Sequence, residues 1–321
     1  MVETTRNYNQ FQQAPRVLVV GTGAVGGYYG GKLAQAGARV AALCRSEFAQ
    51  VKEKGISISS VGGDFTFMPE KVIGHLSEYA PPPDFMLVAL KVLPQIDTAN
   101  LIRESVGPET TIVLLQNGIH IEEPLVEAFP ENEIISALAF ICLSRPKPGH
   151  IEHSDYGRLV IGRFPQGSST RTELLASLFN SVQVPCETTE DVITARWRKL
   201  VWNAAFNPLS VLAGGLDTLT MVQSPGAVQL ARKIMNEVCQ VAAADGYALP
   251  AEVVEQNIEG TQAMAPFKTS MLQDYEAGRP MEVEAILGNC LRTAQQHDVE
   301  VPYLESFYVL MKLVQEQRRY K

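Results

Sequence analysis

No Cys-x-x-Cys pair occurs anywhere in these 321 residues. The five cysteines, Cys44, Cys142, Cys186, Cys239 and Cys290, are odd in number and widely spread. That spacing argues against a disulfide scaffold or a zinc ribbon and predicts reduced thiols in the cytoplasm. The five histidines also lack metal-ligand spacing. His150 and His153 come closest, but they fall on an expected strand with no fitting acid, so no metal site is expected. There is no run of Lys or Arg, and the net charge is −8 with a pI near 5.3. Nothing in that balance attracts nucleic acid. No apolar stretch approaches the roughly 18–20 residues of a membrane helix. Residues 1–14 are polar and have no apolar core, so they are expected to be a disordered tail rather than a signal peptide. Internal repeats and low-complexity segments are missing too. A cytoplasmic protein with neither a nucleic-acid nor a membrane partner is expected.

What is present is a large apolar complement, 46% of the chain, enough for two domains. Short β-branched runs at Val17–Val20, Arg39–Leu43, Phe85–Leu90, Thr111–Leu115 and Ile134–Ala139 read as buried parallel strands separated by helices. Ile56–Ser59 and Phe65–Met68 flank Gly62-Gly63 as a hairpin. Alternation over Ile151–Arg163 predicts antiparallel edge strands. A helix near Thr172–Ser181 and a strand near Val184–Glu187 would close this part. After about residue 190 no strand pattern is seen. Apolar stripes at helical spacing appear instead, over Val228, Ile234, Val238, Val241 and Ala242, and again over Val283, Ile286, Leu287, Cys290 and Leu291. The expected fold is an α/β N-terminal Rossmann-like domain, residues 15–189, with a doubly wound and mostly parallel sheet, followed by an all-α C-terminal domain, residues 190–321. The apolar helical half is also where a homodimer interface would lie, although core and interface stripes look alike in sequence.

The first strand runs into Gly21-Thr22-Gly23-Ala24-Val25-Gly26, and a helix follows at once. In that context the three glycines mark a dinucleotide site. The first allows a tight turn, the second a close approach of the pyrophosphate, and the third close packing of helix on strand. The helix N-terminus offers unpaired N–H groups to the phosphates. At the end of the second strand stand Leu43-Cys44-Arg45-Ser46, with no acid to accept a ribose 2′-hydroxyl. Arg45 there favours a 2′-phosphate and hence NADP, though an Arg at that place is also an ordinary surface residue. Lys91 and Asn117 follow two later strands at their carboxyl ends, the edge where such sheets bind ligands, and are candidates for the ribose and nicotinamide. A solvated lysine and an Asn-Gly turn are the plain alternatives.

Lys199, Asn203 and Asn207 are spaced four and four, which in a helix puts an ammonium and two carboxamides on one stripe. The residues between are apolar, so the stripe is either a satisfied polar seam between helices or the lining of a cleft. Pro208 is expected to kink the helix there. Farther on, Gly278 and Pro280 separate two helices and put Glu282 in the first turn of the second, where it either complements the helix dipole or faces Lys199.

Together these segments resemble the ketopantoate reductase family. The resemblance spans Arg16 to Leu313 and rests on the glycine motif, Arg45, Leu90-Lys91, Asn117-Gly118, Lys199-x-x-x-Asn203-x-x-x-Asn207-Pro208, Ser270-Met-Leu-Gln-Asp274 and Gly278-Arg-Pro-x-Glu282. It implies NADPH-dependent reduction of a 2-keto acid, 2-dehydropantoate to pantoate, on the route to pantothenate. It also implies that Lys199 is the general acid, that Glu282 holds Lys199 or the substrate hydroxyl, and that Asn203, Asn207 and Ser270 bind substrate. Lys91 and Asn117 would sit beside the nicotinamide and ribose. Lysine chemistry fits: hydride arrival builds negative charge on oxygen, which an ammonium stabilises and then protonates. Other readings of the chain are a reductase of another 2-keto acid and a non-catalytic NADP-binding sensor. The family pattern has a further Asn about ten residues beyond Asn207. Here Asp217 occupies that stretch, and facing the substrate it would repel a keto acid's carboxylate.

Overall fold

The computed structural model describes residues 14–319, so the tail expected over residues 1–14 lies almost wholly outside the described residues. The glycine motif follows strand β1 (Arg16–Val20) and opens helix α1 (Ala24–Gln35). Next come β2 (Arg39–Leu43), α2 (Phe48–Lys54), the hairpin β3 (Ile56–Ser60) and β4 (Phe65–Phe67), and β5 (Lys71–Ile73). The chain continues through β6 (Phe85–Val88), α3 (Thr98–Ile102), β7 (Thr111–Leu114), α4 (Glu123–Ala128), β8 (Ile134–Lys147), β9 (His150–Arg163), α5 (Thr170–Ser181) and β10 (Cys186–Thr188). One ten-stranded sheet results, in the order β4-β3-β9-β8-β7-β6-β1-β2-β5, with β10 beside β9.

β1 pairs in parallel with both β2 and β6, and β6 with β7. The chain therefore winds outward from β1 in one direction and then in the other, and the β1–β6 boundary is the switch point of a doubly wound sheet. Its central strands are apolar on both faces because both are covered. Val17 and Val19 of β1 join Leu87, Val113, Tyr29 and Leu33 on the α1 side. Leu18 and Val20 join Met86, Val88, Ile112, Ile102 and Leu125 on the other. That period of two divides the first unit's core into two layers.

Two expectations are corrected. The β8 strand does not stop at Ala139 but continues to Lys147, paired antiparallel with β9 through register shifts. Strand β9 is not an edge, since β3, β8 and β10 all pair with it. Alternation reports that one face of a strand meets water, as the burial of β9 shows, but it carries no information about the strand's neighbours within the sheet.

No strand occurs after β10 among the described residues. There follow α6 (Val192–Leu212), α7 (Thr218–Gln223), α8 (Pro225–Ala244), α9 (Val253–Ala263), α10 (Ser270–Glu276), a π-helical turn over Glu284–Gly288, α11 (Asn289–Gln296) and α12 (Pro302–Arg319). The stripes seen in sequence become this unit's core: Ile234, Val238, Val241 and Ala242 of α8 pack in one cluster with Val283, Ile286, Leu287 and Cys290. Trp197, Leu200, Val201, Ala204, Ala205 and Phe206 of α6 join the same cluster. The first compact unit holds the described part of Met1–Lys91, Ile96–Gln116 and Glu122–Val192. The second holds Ile193–Lys321 up to the last described residue, together with two loop segments, Val92–Gln95 and Asn117–Ile121. No helix among the described residues is long and apolar enough to cross a membrane.

Candidate active site

In the first unit each glycine of the motif has a distinct physical reason. Gly21 has φ +99°, and a Cβ there would meet the backbone N of Leu90 at 2.7 Å, so β1 and β6 end in closely apposed loops. A Cβ on Gly26 would lie 2.2 Å from the Gly21 carbonyl, so only glycine lets α1 sit that close to the turn. A Cβ on Gly23 would meet nothing within 4 Å, leaving open approach to the backbone at the N-cap of α1, which has no side-chain cap. An uncapped N-terminus beside open space at a switch point fits a dinucleotide pyrophosphate. Two hydrogen bonds fix neighbouring loops at this edge. Thr22 Oγ1 donates to the Leu43 carbonyl at 2.7 Å, and Gln116 Nε2 donates to the Leu90 carbonyl at 2.8 Å. Lys91 is half-buried just past β6, and Arg45 is exposed just past β2. Glu47, the first acid beyond β2, is held by the Arg145 guanidinium and accepts from the Gly149 N–H at 2.8 Å.

In the second unit α6 carries Lys199 at its half-buried margin, Asn203 at 7% exposure and Asn207 at 1%. Lys199 Nζ donates to Asn117 Oδ1 at 2.8 Å, joining two residues that lie far apart in sequence. Three further contacts fix the Asn117 loop. Arg196, one turn before Lys199, donates to the Gly118 carbonyl at 3.0 Å, and Asn289 donates to the Ile119 carbonyl. Gly118 has φ +108° and lies against the π-helical turn so closely that a Cβ would stand 2.6 Å from the Ala285 carbonyl. Glu282 accepts from the Val92 N–H at 2.9 Å and so ties down the other loop segment of this unit.

Glu282 stands at the start of the next helical segment, one residue before its first turn: its carbonyl accepts from the Ile286 N–H at 3.1 Å, helical backbone begins at Val283, and the π turn follows over Glu284–Gly288. Pro208 lies inside α6, which runs on to Leu212. The missing N–H costs one bond to an upstream carbonyl, but the helix is buried on its other faces and continues. Both polar atoms of the Asn207 carboxamide are buried with no hydrogen-bond partner. Ser210, the next residue along the stripe, donates to the Asn207 backbone carbonyl at 2.7 Å and lies 2.7 Å from Thr269 Oγ1. One hydroxyl supplies one proton, so Thr269 donates to Ser210 while accepting from the Leu272 N–H as N-cap of α10. Ser270, exposed, is the first residue of that helix. Asp217 is the N-cap of α7 and accepts from the Thr220 N–H at 2.8 Å, a bond that holds its carboxyl below the usual range. Its side chain therefore has a structural task as that cap.

Sequence reasoning singled out Lys199, Asn117 and Glu282 but missed Arg196, Ser210, Thr269 and Asn289. Ser210 was visible in principle, three residues past Asn207 on the same stripe, and Thr269 as a cap before an apolar helix. The π-helical turn left no readable pattern.

A glycine-rich dinucleotide fold followed by an all-helical unit with a bonded Lys–Asn pair defines a class of NAD(P)-type oxidoreductases. Residues 17–166 match the family model ketopantoate reductase PanE/ApbA, and residues 191–315 match ketopantoate reductase PanE/ApbA C terminal. The chain is 33% identical over 309 residues to the 2-dehydropantoate 2-reductase of Nostoc sp., with 95% of this chain and 96% of that protein covered. It is similar to the crystal structure of 2-dehydropantoate 2-reductase from Methylococcus capsulatus, with TM-score 0.88 and 48% identity over 94% of this chain and 97% of that one. The corresponding structure from Geobacter metallireducens GS-15 gives TM-score 0.88 and 35% identity over 93% and 99%. The chain belongs to the ketopantoate reductase family.

Proposed function

We propose that this protein reduces 2-dehydropantoate to pantoate with NADPH and that Lys199 is the general acid. The observation that carries the proposal is the α6 stripe. A half-buried ammonium is oriented by Asn117, and a buried carboxamide on Asn207 has no partner of its own. An unpaired buried amide costs about 1–3 kcal/mol, and that cost is recovered when a polar ligand fills the site. The bound nicotinamide supplies the hydride. As charge builds on the ketone oxygen, Lys199 stabilises it and delivers a proton there, with the Asn117 carboxamide holding the ammonium in place. Asn203, Asn207 and Ser270 bind the keto acid, and Glu282 holds either Lys199 or the substrate hydroxyl. Gly21 to Gly26, Lys91 and Asn117 receive the cofactor, so residues 15–189 form the NADP-binding part and residues 190–321 the catalytic part. The five thiols, all free, suit a cytoplasmic enzyme.

The preference for NADPH rests on the end of β2. Arg45 is exposed there, and Glu47 is engaged by Arg145 and Gly149, so no free carboxylate awaits a ribose 2′-hydroxyl. The deciding assay follows NADPH consumption with 2-dehydropantoate beside a panel of other 2-keto acids. The highest kcat/KM is expected for 2-dehydropantoate. Activity confined to a different keto acid would replace the substrate while keeping the chemistry, and tight NADPH binding without any turnover would point to a sensor.

A further inference from the structure

The end of β2 holds more charge than Arg45 alone. Arg145 stands near the far end of β8, and its guanidinium pairs with the Glu47 carboxylate. That carboxylate oxygen also accepts from Gly149 in the β8–β9 turn. The Arg145 Nε is buried with no hydrogen-bond partner, while the side chain as a whole keeps 25% exposure, against 16% for Glu47. The Cys44 thiol reports the same neighbourhood. Burial raises its pKa most, the Thr22 hydrogen bond and the Arg145 charge pull it down, and the Glu47 charge pushes it up. Arg145 is thus beside the Cys44–Glu47 loop that carries Arg45.

A free carboxylate just past β2 is the group that accepts a ribose 2′-hydroxyl, and it repels a 2′-phosphate. Glu47 has the chemistry and nearly the place for that role. A planar guanidinium offers five donors in a rigid fork, so engaging Glu47 through one terminal nitrogen leaves the fork only partly used, and the side chain keeps 25% of its surface open. We propose that Arg145 sets the cofactor preference of this chain. By neutralising Glu47 and adding a second guanidinium beside Arg45, it turns an NAD-like strand end into a 2′-phosphate subsite. This inference rests on the NADPH reading drawn from Arg45.

The test is to measure dissociation constants of the full chain for NADPH and NADH, by quenching of protein fluorescence, in the parent protein and in Arg45→Ala, Arg145→Ala, Glu47→Gln and the Arg145→Ala/Glu47→Gln double variant. Arg145→Ala is expected to weaken NADPH by roughly ten- to a hundredfold, the usual worth of a charge-assisted bond. NADH should hold or tighten, because Glu47 is released. Adding Glu47→Gln should recover part of the lost NADPH affinity, and Glu47→Gln alone should leave NADPH as tight or tighter. Equal effects of Arg145→Ala on both cofactors, or none, while Arg45→Ala still selects against NADPH, would reduce the Arg145–Glu47 pair to a clasp on the hairpin. Weaker NADPH binding in Glu47→Gln would also overturn the inference, and it remains measurable should Arg145→Ala fail to fold. If Arg45→Ala weakens both cofactors equally, the NADPH reading itself falls, and this inference with it.

Discussion

At the scale of single residues, Lys199 and Asn207 differ in what they cost the fold. Lys199 is bonded to Asn117 and is the proposed proton donor. Lys199→Ala should lower kcat by about two to four orders of magnitude, the usual worth of general-acid catalysis. The NADPH dissociation constant should barely move, and an unchanged kcat would remove Lys199 from the chemistry. Asn207 is a buried amide without partners, so its removal should relieve the apo protein rather than harm it. Asn207→Leu, of similar volume, is expected to keep or raise the thermal unfolding midpoint while raising the keto-acid KM by about tenfold or more. A clear loss of stability with an unchanged KM would mean that the amide serves the core instead. Asp217, in contrast, is spoken for by α7. Asp217→Ala should cost about 1 kcal/mol in urea unfolding, the usual worth of an N-cap, and leave KM alone. A fall in KM would return Asp217 to the substrate's surroundings.

At the scale of elements, the π-helical turn and the loop pressed against it matter most. A π turn inserts one residue into a helix and re-aims the side chains around it, and such turns recur at functional sites. Here the turn over Glu284–Gly288 supplies the surface on which Gly118 rests. Gly118→Ala would add both a strained positive φ and a Cβ in contact with the Ala285 carbonyl. It should destabilise the protein by about 1–3 kcal/mol from the backbone alone, and displace Asn117 from Lys199. Turnover should therefore fall more than cofactor affinity does. Full kcat in Gly118→Ala would show that the loop tolerates the shift and that the Lys199–Asn117 bond is dispensable. None of this could be read beforehand, because a π turn has no period of its own. The residues Glu282 to Leu291 look like ordinary amphipathic helix, and Asn117-Gly118 looks like an ordinary turn.

At the scale of the whole molecule, acid should weaken the fold. Burial alone would raise Glu284, but bonds from Lys312 at 2.7 Å, Arg292 at 3.0 Å and Tyr308 at 2.9 Å outweigh it and hold its pKa below the ordinary value. A carboxyl depressed in the folded state stabilises fully above its unfolded pKa, and that contribution is lost as pH falls through the folded value. Asp217 and Glu70 shift in the same direction, while buried Glu237 shifts upward and opposes them. The urea midpoint should therefore hold from neutrality down to about pH 5 and decline below it, as the carboxyls titrate through and under their unfolded range, and Glu284→Gln should flatten part of that decline. An identical slope in the variant would remove Glu284 from it. The sequence by itself determined the doubly wound sheet, the helical second half and the glycine motif, because these follow from local rules: buried strands are apolar on both faces, amphipathic helices repeat every 3.6 residues, and only glycine tolerates a turn like that at Gly21. It also aligned Lys199, Asn203 and Asn207, since helical spacing alone does so. Only the tertiary structure decided that Asn117 meets Lys199, that Val92 meets Glu282, that β9 is an interior strand and that Arg145 engages Glu47. Each of these joins residues far apart along the chain, and such contacts are set by how whole elements pack, which no local pattern records.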